Sequence, residues 1–275
     1  MLSRNNSAKI ANETVDCCLK GEYSVGSTIV SIGTKIKESV DATKHITLED
    51  MHHLSDQARD SIAKNQYETK FEVCNESTLS AGKRLFEQDP NVAILNFASA
   101  KHPGGGFLNG ALAQEESIAR ASSLYPSLMT QNEFYTAYQK DRSPFYTDQL
   151  IVSPNVVIFR DDNGEFLEQP WTATVITAAA PNAGHIVRNR QDIPATFRMR
   201  IDMILTAAVV YKQSSIVLGA WGCGVFANDP QLVADIFAEH LLTGTFSKAF
   251  KHVIFAILDG RNNMLEPFKI FNKSF

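Results

Sequence analysis

NVAILNFASAKHPGGGFLNGALAQEESIAR, residues 91–120, sets the reading of the chain. Six of its first nine residues are apolar, with Val92 to Leu95 in an unbroken run, the pattern of a strand covered on both faces rather than the alternation of a half-exposed one. The strand runs into three consecutive glycines, Gly104, Gly105 and Gly106. Each glycine costs conformational entropy on folding. Gln114, Glu115 and Glu116 then open a helix, so a buried strand delivers a glycine loop and a pair of acids to one edge of a sheet. In open α/β sheets that edge, outside the carboxyl ends of the strands, is where ligands bind.

Outward from this stretch, strands and helices alternate. Strands are read at 69–74, 155–160, 172–180, 214–221 and 252–258, and helices at 78–86, 193–213 and 229–244. Nearly continuous apolar strands between amphipathic helices indicate an α/β sandwich with a mixed central sheet covered on both faces. DDNGEF (161–166) reads as a hairpin turn, so part of the sheet is antiparallel. Before it, 7–21 reads as a helix ending at Gly21 and 27–32 as a short strand. A helix over 46–65 has Thr47 as its N-cap and Asp50 in capping-box position. Residues 1–65 are therefore expected to form an accessory helical extension, and residues 66–275 the main α/β domain, in one compact unit.

Composition narrows the class. The 275 residues are 44% hydrophobic and 20% charged, and no apolar run approaches the roughly 18 residues of a membrane span. The polar start MLSRNNSAKIANETVD lacks the apolar core of a secretory signal, so a cytoplasmic protein is expected. Cys17, Cys18, Cys74 and Cys223 include no C-x-x-C pair and His52 and His53 no H-E-x-x-H pattern, so neither disulfides nor a metal is expected. Net charge is −4, without a basic run to track a nucleic-acid backbone. A phosphorylated small ligand stays compatible, because backbone amides and helix N-termini hold phosphate without cationic side chains.

A second glycine loop follows SSIVLGAW, where Gly222 and Gly224 flank Cys223 before a helix beginning near Asp229. Neither loop is a P-loop, and the first misses the dinucleotide fingerprint G-x-G-x-x-G because Asn109 stands where its last glycine belongs. From the residues alone, two readings of 102–120 stay open. It is a tight turn and a helix whose first-turn acids contribute about 0.3–1 kcal/mol through the dipole, with Arg120 pairing with Glu116 at i, i+4, or it is a ligand cradle.

The spacing of GGG, seven residues and QEE resembles the signature of the poly(ADP-ribose) glycohydrolases, most closely their microbial branch. IANETVDCCLKGEY, KFEVCNESTL, VITAAAPNAG and LGAWGCGVFANDP are similar to further blocks of that family, so the resemblance spans roughly residues 10–260. It implies a macrodomain-like three-layer α/β/α fold and a hydrolase that releases ADP-ribose. By the resemblance, Glu116 is the catalytic acid and base, Glu115 binds the hydroxyls of the reacting ribose, and Gln114 completes the QEE group. Gly104, Gly105 and Gly106 close around that ribose and the diphosphate. Gly222, Cys223, Gly224 and Val225 belong to the diphosphate loop, and Phe226 packs on the ribose. Asn96 and Ser99 stand where macrodomains carry ribose-contacting polar groups, with serine replacing the asparagine of many relatives, and Glu76 where many carry an adenine-binding acid. Cys223 has no assignable activating base and reads as a space-filler rather than a nucleophile.

Cleavage at an anomeric carbon passes through an oxocarbenium-like state, helped by protonating the leaving group and activating water. Adjacent acids point about 100° apart on a helix, so the family's account gives both proton transfers to Glu116. No cofactor is implied; the partners are ADP-ribose, poly(ADP-ribose) or an ADP-ribosylated protein. The alternatives are a hydrolase of arginine-, serine- or glutamate-linked mono-ADP-ribose and a non-catalytic ADP-ribose reader, which has no need of QEE. A nicotinamide dinucleotide enzyme is disfavoured by the failed glycine spacing.

Overall fold

The computed structural model describes residues 3–258 and 265–275. The chain runs α1 (Arg4–Lys20), β1 (Glu22–Val25), β2 (Thr28–Ser31), α2 (Gly33–Ala42), β3 (Lys44–Thr47), α3 (Leu48–Lys64), β4 (Lys70–Cys74), α4 (Thr78–Phe86) and β5 (Val92–Phe97). It continues α5 (Gln114–Ala121), α6 (Leu124–Met129), α7 (Asn132–Asp141), β6 (Gln149–Arg160), β7 (Phe166–Ala178) and α8 (Ile193–Val210). Then come β8 (Ser215–Leu218), α9 (Pro230–Ala238), β9 (His252–Ala256) and α10 (Leu265–Ser274).

Among the described residues, seven strands form one sheet in the order β3-β6-β7-β5-β8-β9-β4. The block β7-β5-β8-β9-β4 is parallel, and β6 and β3 add to it antiparallel. On β5, Val92 to Leu95 are fully buried, as their unbroken apolar sequence requires, and the polar Asn96 is buried with them. One face carries a core built with α3, α8 and α9, including Phe197, Trp221, Phe237 and Phe255. The other packs α4, α5 and α6 through Leu79, Leu85, Ile118, Leu124 and Trp171. The fold is a three-layer α/β/α sandwich with a mixed sheet.

The local signals act as their chemistry dictates. Gly21 closes α1 in the left-handed region (φ +74°), its N–H bonding Cys17 O, and the Thr47 N–H donates to Asp50 Oδ2 at 2.8 Å at the start of α3. The segment before residue 65 is not only helical. It contains the β1-β2 hairpin, and β3 pairs with β6 as an edge strand of the main sheet. Strands β6 and β7 are longer than the sequence suggests. Pro154 and Asn155 (φ +53°) lie in a register shift between Ser153 and Val156 that β6 passes through rather than ends at.

Candidate active site

Five parallel strands aim their carboxyl ends at one edge, and the segments that follow them line a single cavity of about 1180 Å³. Glu76 to Ser80 follow β4, Ala98 to Lys101 follow β5, Ala180 and Asn182 follow β7, Ala220 to Gly222 and Gly224 to Phe226 follow β8, and Ile257 and Leu258 follow β9. Gln114 to Ser117 enter from the first turn of α5.

The three residues of QEE do different work. The Gln114 side chain accepts from the Phe97 N–H (2.9 Å) and donates to Leu95 O (2.7 Å) and Thr78 Oγ1 (3.2 Å). Its amide is committed to the end of β5 and fixes α5 on the sheet, while the residue also lines the cavity. Glu115 is 3% exposed. Its Oε2 accepts from the Ser99 N–H at 2.7 Å and its Oε1 from Asn96 Nδ2 at 3.4 Å. Burial, then the neighbouring Glu116, pushes the Glu115 carboxyl up to about 8 against the opposing bonds from Ser99, Asn96 and Gly104. Glu116 lines the cavity and accepts from the Gly106 N–H through Oε1 at 2.9 Å. Its other oxygen has no hydrogen-bond partner among the described residues.

The glycines face the acids. Gly105 adopts φ +61°, and a Cβ there would lie 2.3 Å from Glu116 Oε1 and 3.0 Å from Glu115 Oε2. Gly104 and Gly106 supply N–H groups to Glu115 and Glu116. None of the three lines the cavity among the residues described. At Gly105 the chain is bare of a side chain because the two carboxylates occupy that space, whereas Gly104 is crowded by Phe107 and Ala119 and Gly106 by Ala111.

Asn96 and Ser99 both hold Glu115. Asn96 is fully buried beneath Glu115 and also donates to Thr177 Oγ1 (3.2 Å). Ser99 lines the cavity, but its N–H holds Glu115 and its hydroxyl accepts from the N–H groups of Lys101 and His102. Arg120 is buried and donates to Ala111 O and Ser117 Oγ, so it is not the solvated i, i+4 partner of Glu116.

Helix α1 braces this assembly, which the sequence reading did not anticipate. Thr14 donates to Arg120 O at 2.6 Å, Arg4 donates to Asn109 O, and Ala11 packs with Phe107 and Ala119. Arg160, buried, ties α1 to β6 through Thr14 and Glu13.

In the second loop Gly222, Gly224, Val225 and Phe226 line the cavity. Gly222 (φ +76°) lies against Ala180 and Asn228, with 2.7 Å left for a Cβ on either side. Asn228 bonds both Pro181 O and Gly222 O, joining this loop to the one after β7. Phe226 stands 5.9 Å from the Tyr146 ring. Cys223 is absent from the lining and packs against the core. Burial pushes its thiol up to about 12, away from the thiolate that a nucleophile needs. Glu76 lines the far end of the cavity with one oxygen bonded to Arg84 Nη2 at 2.6 Å.

Tyr146 and Asn182 also line the cavity and were missed. Asn182 had a usable signal, since APNAG directly follows an apolar strand; Tyr146 precedes a strand and had none. Among the described residues, no cluster of His, Cys, Asp and Glu is arranged to hold a metal ion, and no helix is long and apolar enough to cross a membrane.

A mixed seven-stranded sheet with a long cavity over its parallel edge, and a carboxylate pair at the mouth of one strand, defines a macrodomain-like hydrolase. The microbial-type PARG catalytic domain profile matches residues 11–161. The solved poly(ADP-ribose) glycohydrolase of Thermomonospora curvata is 39% identical, covering 98% of this chain and 100% of its own, with a TM-score of 0.91. Its complex with the inhibitor ADP-HPD superposes at 0.90 over the same spans. The Deinococcus radiodurans poly(ADP-ribose) glycohydrolase in complex with ADP-ribose is 40% identical over 92% of this chain and 98% of its own, with a TM-score of 0.81. No curated protein matches. The chain belongs to the microbial-type poly(ADP-ribose) glycohydrolase family.

Proposed function

We propose that this protein hydrolyses the ribosyl glycosidic bond of poly(ADP-ribose) and releases ADP-ribose, with Glu116 as general acid and then general base. The observation that carries this reading is the placement of Glu116. One oxygen is fixed by the Gly106 N–H while the carboxyl lines the cavity. In this reading Glu115, held by Ser99 and Asn96, is the group that binds the hydroxyls of the reacting ribose.

The sheet order supports the orientation of the ligand. From β5 to β4 is three strand spacings, about 14 Å, with β8 and β9 between. The reacting ribose belongs at β5 and the diphosphate against the N–H groups of Gly222, Gly224 and Val225. The base belongs between Leu79, Ile257 and Leu258, with the free oxygen of Glu76 at its edge. Phe226 packs on the ribose. As the bond between anomeric carbon and leaving oxygen breaks, that oxygen takes the proton of Glu116. Water then adds to the anomeric carbon and returns a proton to Glu116. The N-terminal segment acts within the same catalytic unit, through the contacts of α1 with the glycine loop.

The test is a panel of poly(ADP-ribose) and of arginine-, serine- and glutamate-linked mono-ADP-ribosylated protein, read as free ADP-ribose. Turnover of the polymer is expected. Turnover confined to one mono-linked protein would replace this reading with that of a mono-ADP-ribosyl-protein hydrolase.

A further inference from the structure

The ADP-ribose unit proposed above covers β5, β8, β9 and β4, yet the cavity extends to the other side of the acids. Beyond β5 stands β7, and beyond it β6, whose antiparallel course brings its first residue, Gln149, and the segment before it to the same edge. Tyr146 from that segment and Asn182 from the loop after β7 line this end, and Lys101 lies close by, where β5 hands over to the glycine loop.

Asn182 is 8% exposed, and its Oδ1 is buried without a hydrogen-bond partner. Of the described residues with such an orphaned side-chain atom, Asn182 alone lines the cavity. Buried acceptors of this kind are uncommon and call for a reason, and here a donor on a ligand supplies it. The amide nitrogen of Asn182 donates to Tyr146 Oη at 3.4 Å, which leaves its oxygen unmatched. Tyr146 holds a left-handed backbone (φ +58°), a conformation that a bulky aromatic adopts only when its surroundings impose it. Tyr138, with ring centres 5.5 Å apart, and Phe226 supply those surroundings.

Lys101 places its ammonium 4.4 Å from the centre of the Tyr138 ring. Tyr138 is its side-chain hydrogen-bond partner and no carboxylate pairs with it among the described residues, so its charge is not neutralised beside an unmet acceptor. A ribose hydroxyl satisfies the acceptor, and a phosphate meets the cation. Both belong to the next unit of a polymer, and a serine or glutamate side chain offers neither together.

We infer that Asn182 and Lys101, with Tyr146 as their support, form the subsite that holds the leaving unit of the polymer through its ribose hydroxyls and diphosphate. This inference rests on the polymer-hydrolase reading. Hydrolysis of poly(ADP-ribose) is measured for the natural sequence, Asn182→Ala and Lys101→Gln, with ADP-ribose affinity of each by calorimetry. Asn182→Ala is expected to lower kcat/KM on polymer about fivefold, the worth of one neutral hydrogen bond, through KM. Lys101→Gln is expected to lower it severalfold and to flatten its dependence on salt. ADP-ribose affinity should shift less than twofold in both. Lys101 is exposed, so its replacement keeps the comparison intact where loss of buried Asn182 impairs folding. Polymer kinetics unchanged in both variants, or ADP-ribose affinity falling in step with kcat/KM, would overturn the subsite. An unaltered protein that cannot cut the polymer would instead overturn the reading beneath it.

Discussion

Replacing Gly105 by alanine separates the catalytic use of the glycine run from its backbone use. The residue has φ +61°, where an alanine costs about 1–2 kcal/mol relative to the right-handed region. The new Cβ would also lie 2.3 Å from Glu116 Oε1 and 2.9 Å from its carboxyl carbon. Restoring ordinary contact moves the carboxylate by about 1 Å and breaks its 2.9 Å bond to the Gly106 N–H. A misplacement of that size costs about 10²-fold in rate. Gly26, at the tip of the β1-β2 hairpin, is a matched control with φ +59° and nothing within 4 Å of a Cβ. Both variants should lose roughly 2–8 °C in Tm from backbone strain. Only Gly105→Ala should lose activity, read as the initial rate of ADP-ribose release at saturating polymer. Activity of Gly105→Ala within threefold of the natural protein would refute the claim that Gly105 is bare to seat the acids. An equal loss in Gly26→Ala would assign the effect to strain.

Glu115 predicts a pH dependence of stability. Its carboxyl is raised from an ordinary value near 4.5 to about 8, so the folded state binds the proton more tightly and stability falls as pH rises between those values. Glu115→Gln removes that slope: thermal melts from pH 5 to 8 should show the natural protein losing on the order of a few kcal/mol relative to the variant, and parallel pH profiles would contradict the burial of this charge. Gln114→Ala leaves the Phe97 N–H and Leu95 carbonyl unmet at the end of β5 and should cost about 2–3 kcal/mol, seen as a Tm lower by roughly 4–12 °C. An unchanged Tm would show that α5 is fixed on the sheet by other means.

What the sequence disclosed depended on how strongly a pattern was repeated. Strand β5 was legible because every residue from Val92 to Leu95 is apolar, and α1 and α3 ended or began at residues with a specific local chemistry, Gly21 and Thr47. Strand β3 escaped notice because only Ile46 of its four residues is buried. The acids were found through a motif, but their relation to the glycines was not, because the contact between Gly105 and Glu116 is made across a loop that folds back on itself. The same limit hid the fates of Asn96, Gln114 and Arg120. A polar residue at a strand end can serve a ligand or another side chain equally well, and only the position of Glu115 decides between them. Tyr146 and Asn182 meet across 36 positions of chain, with no periodicity to join them.

The most direct test of the account is Glu116→Gln, which keeps the shape of the side chain and an oxygen to accept from the Gly106 N–H while removing the exchangeable acid. ADP-ribose release from poly(ADP-ribose) should fall by about 10²–10⁴-fold, the usual worth of a general acid and base, while calorimetric ADP-ribose affinity stays within about threefold. Turnover within a few-fold of the natural protein would contradict the assignment and place the proton transfers on another group.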